Sequence, residues 1–265
     1  HSQLLNNYSL YFKLKNQTIL CPSNTFQATP MISKLNGVKI KFVDCNKNDL
    51  CISFEDMKKK ADLYKPKAIW VVHIGGHIAF QINEISEYCK KNKIILIEDC
   101  AHAHGASYNG KRAGSWGNAG IYSLYATKTI STGEGGLLVS DDNNLIEFAK
   151  EYRNYGKPNN VISGKNFRMS EFTAALGSIQ ITRLNDIVEW KNNYVINEIS
   201  KYTNYLKIQN GIYPDFILDL KKGDISYYSL LALNFSEKNI HLEKNIVEFV
   251  CKGFYNTLSS LRSRY

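Results

Sequence analysis

No run of apolar residues in this 265-residue sequence approaches the roughly 20 needed to span a bilayer. Residues 1–20 carry no basic start followed by an apolar block, so no leader is expected and the expected location is cytoplasmic. The six cysteines (21, 45, 51, 89, 100 and 251) form no C-x-x-C pair and no Cys/His ligand spacing. A disulfide scaffold and a zinc module are therefore set aside, and the cysteines read as reduced thiols, several of them in the core. Internal repeats and low-complexity linkers are also missing. Acidic residues are outnumbered, 24 against 33 Lys and Arg, for a net charge of +9. Such an excess raises the question of a nucleic-acid partner. The lysines are scattered, however, often beside Asn, as in "KYTNYLKIQN". The short clusters Lys58–Lys60 and Lys90–Lys91 fall on expected helix surfaces, with no basic stripe of interleaved aromatics and no nucleic-acid motif. The charge reads as a compositional bias that still helps to draw in an anionic substrate. Neither a nucleic acid nor a membrane is expected as a partner.

What is present is an alternation of strands and helices. "QTILCPS", "VKIKFVD", "KAIWVVHI" and "IILIED" read as strands, and "GIYSLYA" and "GGLLVSD" add two more. Between them, "TPMISKLNG" reads as a helix closed by Gly37. "SFEDMKKKADLY" starts with Ser53 as N-cap and Asp56 in the place of a capping-box Glu. "QINEISEYCKKNK" puts Ile82, Ile85, Tyr88 and Cys89 on one helical face. Nearly continuous apolar strands separated by helices imply a parallel sheet covered on both faces, an α/β domain over residues 1–170. From Ser170 to about Leu206 the pattern is helical, with Phe172, Leu176, Ile179, Leu184, Ile187 and Val188 recurring and Gly177 and Asn185 as weak points. "SYYSLLALNF" then reads as a strand and "LEKNIVEFVCKGFYNTLSSL" as a helix. Residues 171–265 are thus expected to hold linking helices and part of a smaller α+β domain.

The stretch Ile97–Gly136, "IEDCAHAHGASYNGKRAGSWGNAGIYSLYATKTISTGEGG", carries the chemistry. Ligands of open α/β sheets sit outside the carboxyl ends of the strands. Asp99 closes one such strand, and Lys128 ends the next in a small-residue setting. Alone, Asp99 reads as a helix cap and Lys128 as a surface lysine. Together, a carboxylate and an amine from neighbouring strands suit a pyridoxal phosphate site. That cofactor needs a lysine to form a Schiff base and an acid to keep its pyridinium nitrogen protonated, so that the ring can accept electrons. "VHIGGH" makes a poor metal set, because His73 and His77 flank a Gly-Gly turn with no carboxylate or thiol alongside. No metal is expected. His73 is expected at a strand end near the site, and His77 and His104 in structural positions behind it. "GEGG" (133–136) lacks the strand–GxxxxGK–helix context of a phosphate loop and reads as a tight turn beside the cofactor.

Five segments, "CPSNTFQAT", "VKIKFVDCN", "VVHIGGH", the long stretch just quoted, and "GKNFRMSEFTAALGSIQ", resemble the DegT/DnrJ/EryC1/StrS family of pyridoxal-phosphate-dependent sugar aminotransferases. They span about residues 20–190. The resemblance implies a type I aminotransferase fold: a large, mostly parallel-sheet cofactor domain plus a smaller C-terminal α+β domain, incomplete here. It also implies a homodimer that takes an amino group from glutamate and places it on a nucleotide-linked keto-sugar. Carried over residue by residue, Lys128 in "YATK" matches the Schiff-base lysine and proton shuttle. Asp99 in "IEDC" matches the pyridinium partner, and His102 in "EDCAHA" the residue at the cofactor's ring oxygen. Ser123 in "IYSLYATK" matches a hydroxyl that holds the cofactor phosphate. Phe26 in "SNTFQAT" matches the aromatic stacked on the ring. Asn166 in "GKNFRMS" matches an Asn that reaches the phosphate in the partner subunit, which implies shared active sites. The resemblance is cut at both ends. The Ser-Gly-Thr-like segment whose helix N-terminus grips the phosphate falls at or before His1, and the small domain stops in its first helix. Three other outcomes fit the same segments: a cyclitol aminotransferase, a sugar dehydratase, and a catalytically silent binding or regulatory relative. Dehydratase relatives carry His at the lysine position, which Lys128 opposes. The silent relative is opposed by Lys128, Asp99 and His102 together.

Overall fold

The computed structural model describes residues 2–46 and 48–194. β1 (Thr18–Pro22) lies between β2 (Lys39–Val43) and β3 (Ala68–Val72). β4 (Ile95–Asp99) follows. Apart from this sheet, β5 (Ser107–Tyr108) and β6 (Lys111–Arg112) pair as a small hairpin. β7 (Ala119–Ser123) continues the main sheet beside β4, and β8 (Gly136–Val139) closes it. Every neighbouring pair in the main sheet is parallel except β7 with β8. The sheet is thus mostly parallel, as the apolar strand runs require. On the β2 edge, Lys39 and Lys41 are exposed, which discourages pairing with a further strand.

Successive strand residues point to opposite faces. On one face, Leu20, Ile69, Val71 and Leu96 meet α3 (Phe54–Tyr64) and α4 (Ile82–Lys91) through Met57, Ala61, Ile82, Ile85 and Cys89. On the other, Ile19, Cys21, Trp70, Ile97 and Ile121 meet α1 (Ser2–Tyr11), α2 (Ala28–Leu35) and α5 (Asn143–Tyr152) through Tyr8, Ala28 and Leu145. Each buried Leu or Ile contributes roughly 1.5–3 kcal/mol. The order is a three-layer α/β/α sandwich, as the resemblance implies for its large domain.

Local chemistry sets the helix ends. Gly37 closes α2 at φ +71°, a region that glycine enters without strain. Ser53 caps α3 by accepting from Asp56 N–H. Asp56 does not return the favour to Ser53. Its Oδ2 accepts from Asp44 N–H (2.7 Å) and from Lys60 (2.6 Å), so the cap ties α3 to the end of β2. The expected long helix after Ser170 is two helices, α6 (Glu171–Thr182) and α7 (Leu184–Tyr194), broken at Arg183. Gly177 does not break it. That residue stays helical and buried, with its missing Cβ 3.4 Å from Thr132. α6 and α7 lie against the sheet domain, through Gln180 to the Ser131 carbonyl and Lys191 to Thr129. The strand and helix expected at 226–235 and 242–261 lie outside the described residues.

Candidate active site

From β1 the chain moves outward to β2, whereas from β3 it moves the other way to β4. Where strand order reverses in this manner, a crevice opens at the carboxyl ends of the strands. A cavity of about 1100 Å³ lies at these strand ends, and Phe26, Asp99, His102, Ser123 and Lys128 all line it. Five of the six residues singled out in the sequence therefore meet in one place. Asn166 is not among the lining residues. It is exposed, bridges to Asn154, and accepts from Arg168 N–H, while its neighbours Phe167, Arg168 and Met169 do line the cavity. The sequence reading missed Lys150 and Arg153, which add positive charge to the wall from the end of α5.

Asp99 is 3 % exposed. Its Oδ2 accepts from the Thr29 hydroxyl (2.8 Å) and its Oδ1 from Ala101 N–H (3.0 Å). His102 follows in the loop after β4. Gly75 N–H donates to its Nδ1 at 3.3 Å, from a 3-10 turn over Ile74–Gly76. Gly75 sits at φ +71°, which only a residue without Cβ adopts cheaply, so the glycine pair of "HIGGH" serves to aim this donor. An acceptor Nδ1 places the ring proton on Nε2. Ser123 ends β7. Its Oγ accepts from Tyr125 N–H, which leaves its O–H to donate. Lys128 lies half-buried in the next turn, its N–H bonded to the Tyr125 carbonyl. Phe26, just before α2, is 65 % exposed with its ring on the cavity wall. The "GEGG" segment is a turn, as expected. Gly135, at φ +154°, lines the cavity, and a Cβ there would come within 2.9 Å of Thr132 Oγ1.

His73 is a correction: it is fully buried and does not line the cavity. Its Nδ1 accepts from Ala79 N–H (3.2 Å), so its Nε2 carries the proton and donates to Glu98 Oε2 (2.9 Å). Glu98 also accepts from Gly114, Trp116 and Gly117 N–H groups, all at 2.7 Å. His104 Nε2 donates to the Ser123 carbonyl at 2.7 Å and holds the end of β7. His77 Nε2 donates to the Asp49 carbonyl at 3.0 Å. Burial pushes its pKa down to about 3, so the ring is neutral at ordinary pH. The fold also brings Asp49 and Cys51 to His77, with ligand atoms within 4.8 Å of one another, so the thiol and carboxylate missing from the local sequence arrive from the loop after β2. The Asp49 oxygens are taken up by Cys51 and Phe80 N–H groups, and Cys51 Sγ rests 3.6 Å from His77 Nε2. The trio locks two loops together. Burial pushes the Cys21 and Cys89 thiols up to about 12, and Cys51 and Cys100 well above their usual value. None is a thiolate nucleophile.

Fold and site together define a mostly parallel α/β protein with its ligand cavity at the carboxyl ends of the strands. The chain matches the DegT/DnrJ/EryC1/StrS aminotransferase family over residues 5–250 and belongs to that family. It is 33% identical over 184 residues to a GDP-perosamine synthase of Vibrio cholerae, covering 66% of this chain and 48% of that one. It is also 33% identical over 224 residues to a UDP-4-amino-4,6-dideoxy-N-acetyl-beta-L-altrosamine transaminase of Campylobacter jejuni, covering 76% and 58%. Among solved structures, Helicobacter pylori PseC, an aminotransferase involved in the biosynthesis of pseudoaminic acid, superposes with a TM-score of 0.78 at 27% identity. The match covers 95% of this chain and 68% of that one. The chain spans about half the length of the curated relatives it matches. No helix among the described residues is long and apolar enough to cross a membrane.

Proposed function

We propose that the protein is a pyridoxal-phosphate-dependent aminotransferase that moves an amino group from an amino-acid donor, glutamate, to a keto-sugar carried by a nucleotide, as a homodimer with shared sites. The carrying observation is that Asp99, at the end of β4, and Lys128, in the turn after β7 rather than at a strand end, line one cavity with Phe26, His102 and Ser123. This donor set fits the cofactor group by group. An amine suits its aldehyde, a carboxylate its ring nitrogen, and an imidazole N–H its ring oxygen. A hydroxyl suits its phosphate, and the uncovered Phe26 face suits a flat ring. When bound, pyridoxal phosphate supplies an electron sink for a substrate carbon that loses a proton.

The chain's own residues do the remainder. Asp99 holds the ring nitrogen in its charged state from a nearly dry position. His102 donates from Nε2. Lys128 Nζ anchors the cofactor, then takes and returns the proton at the reacting carbon. The relatives act on GDP-, UDP- and dTDP-linked sugars by name, and the Arg153 and Lys150 side chains suit an anionic substrate of that kind. The proposed second subunit covers α6, where Phe172, Leu176 and Ile179 form an exposed stripe, Phe172 at 91 %. That stripe continues from the cavity-lining segment Phe167–Ser170, so a second copy seated on it reaches the cavity and Asn166.

The test is cofactor capture. Purified protein loaded with pyridoxal phosphate is reduced with borohydride, digested and mass-mapped. The label is expected on Lys128, and glutamate is expected to change the visible absorbance before reduction. A label on another residue, or none, refutes the assignment.

A further inference from the structure

The sequence motifs do not single out Thr29, yet its hydroxyl donates to Asp99 Oδ2 at 2.8 Å. Thr29 is fully buried in the first turn of α2. Threonines in helices commonly turn the hydroxyl back to a carbonyl one turn earlier. Here the hydroxyl crosses from α2 to the end of β4 instead. The backbone is fixed on both sides: Thr29 N–H donates to the Phe26 carbonyl (3.2 Å), and the Ser33 hydroxyl donates to the Thr29 carbonyl (3.0 Å). One turn of chain therefore carries both Phe26, on the cavity wall, and the hydroxyl that grips Asp99.

We infer that Thr29 is the positioning residue that aims Asp99 at the cofactor's ring nitrogen and keeps the shared proton on that nitrogen. This rests on the pyridoxal phosphate reading given above. The physical argument has two parts. A carboxylate at the end of a strand rotates about its Cα–Cβ and Cβ–Cγ bonds. Ala101 N–H on Oδ1 and Thr29 on Oδ2 fix that rotation, so both oxygens have a set direction before any ligand arrives. A hydroxyl donating to Oδ2 also stabilises the charged carboxylate over the protonated acid. A proton between Asp99 and a ring nitrogen then rests on the nitrogen, the state in which the ring draws electrons. Replacing the hydroxyl with a methyl leaves a buried acceptor with one partner fewer and returns part of the proton to Asp99.

The test compares two cofactors on wild type, Thr29→Val and Thr29→Ser. One is pyridoxal 5′-phosphate; the other is its 1-deaza analogue, in which carbon replaces the ring nitrogen. Affinities are read by fluorescence titration of the full chain, with thermal melts to confirm that the variants fold. Thr29→Val is expected to weaken pyridoxal phosphate by about tenfold or more, as for a lost hydrogen bond to a charged group. The deaza analogue, which has no nitrogen for Asp99 to hold, is expected to change by less than about twofold. Thr29→Ser keeps the hydroxyl and is expected to restore most of the affinity. Equal losses for both cofactors, or no loss for either, overturn the positioning role while leaving the cofactor reading intact. A wild type that binds neither cofactor refutes that reading and this role with it. If Thr29→Val does not fold, the comparison moves to Thr29→Ala against Thr29→Ser with the same two ligands and the same refuting pattern.

Discussion

Glu98→Gln removes one oxygen and no volume, and it should cost far more than its size suggests. Glu98 is fully buried and accepts four hydrogen bonds, two on each oxygen. No donor group on Gln fits that cage. If its NH₂ takes the Oε1 place, it faces the Trp116 and Gly117 N–H groups. If it takes the Oε2 place, it faces the Gly114 N–H and the His73 Nε2–H. His73 cannot relieve the second case by changing tautomer, because its Nδ1 is committed to accepting from Ala79 N–H. Either way two donors lose their acceptor and meet another donor. A buried donor left unsatisfied costs about 1–3 kcal/mol. Two of them, less some relaxation, give about 2–5 kcal/mol for the substitution.

Urea unfolding followed by tryptophan fluorescence reads that difference, provided the slope of the transition is unchanged. Amide hydrogen exchange supplies the location. Gly114, Trp116 and Gly117 should exchange faster in the variant, while amides of α3 should not beyond the global change. A stability loss under about 1 kcal/mol, or unchanged protection at those three amides, refutes the four-bond cage.

Two further predictions concern α7 and α6. Burial pushes the Lys191 amine down to about 8, against 10.5 when free. Below pH 8 the folded chain holds a charge at a desolvated site. Between pH 8 and 10.5 the unfolded chain binds the extra proton, so stability rises with pH across that window. Lys191→Met should therefore stabilise the protein at pH 7, by on the order of 1–3 kcal/mol less the lost bond to Thr129, and the gain should shrink toward pH 10.5. Thermal melts at pH 7 and 10 check this, and a pH-independent gain counts against it. On α6, Phe172→Lys with Ile179→Lys should shift light-scattering mass from dimer to monomer with little change in the melt of a dilute sample. An unchanged mass would move the dimer contact elsewhere.

The sheet was readable from sequence because parallel strands are buried on both faces and leave apolar runs such as "AIWVV" and "ILIED". Ser53 and Gly37 were readable because caps depend on local chemistry. α1 was not readable. Its apolar stripe, Leu4, Tyr8 and Tyr11, is short and mixed with Asn and Ser, and it becomes evident only where it packs on the sheet, Tyr8 edge-on to Trp70 from a strand some sixty residues away. The capping box failed at Asp56 because a tertiary partner, Asp44 N–H, outbid the local one. Within the site, Asp99 and Lys128 were found as a carboxylate and an amine following neighbouring strands, Phe26, His102 and Ser123 by resemblance to a family, and all five meet in the cavity. Thr29 closes the segment "CPSNTFQAT", but nothing local marks its role, since its partner lies seventy residues further on. His73 was placed near the cavity because it follows a strand end. It lies behind because its ring reaches Glu98, on the face of the sheet opposite Asp99.

That last distinction decides which of two adjacent acids faces the cavity. Glu98 and Asp99 are consecutive on β4, and strand geometry sends them to opposite faces. The apolar residues before them show the same split: Leu96 packs with α3 and α4, Ile97 with α1, α2 and α5. Glu98 follows Leu96 to its face, where it pins the 114–117 loop. Asp99 follows Ile97 and meets α2 and the cavity. The register Val72↔Asp99 on one side and Asp99↔Ile121 on the other holds this arrangement. A slip of one residue would send Glu98 to the cavity with an extra methylene and drop Asp99 into a cage too wide for it. The four N–H and ring donors around Glu98 penalise that slip, so the cage on one face fixes the position of the acid on the other.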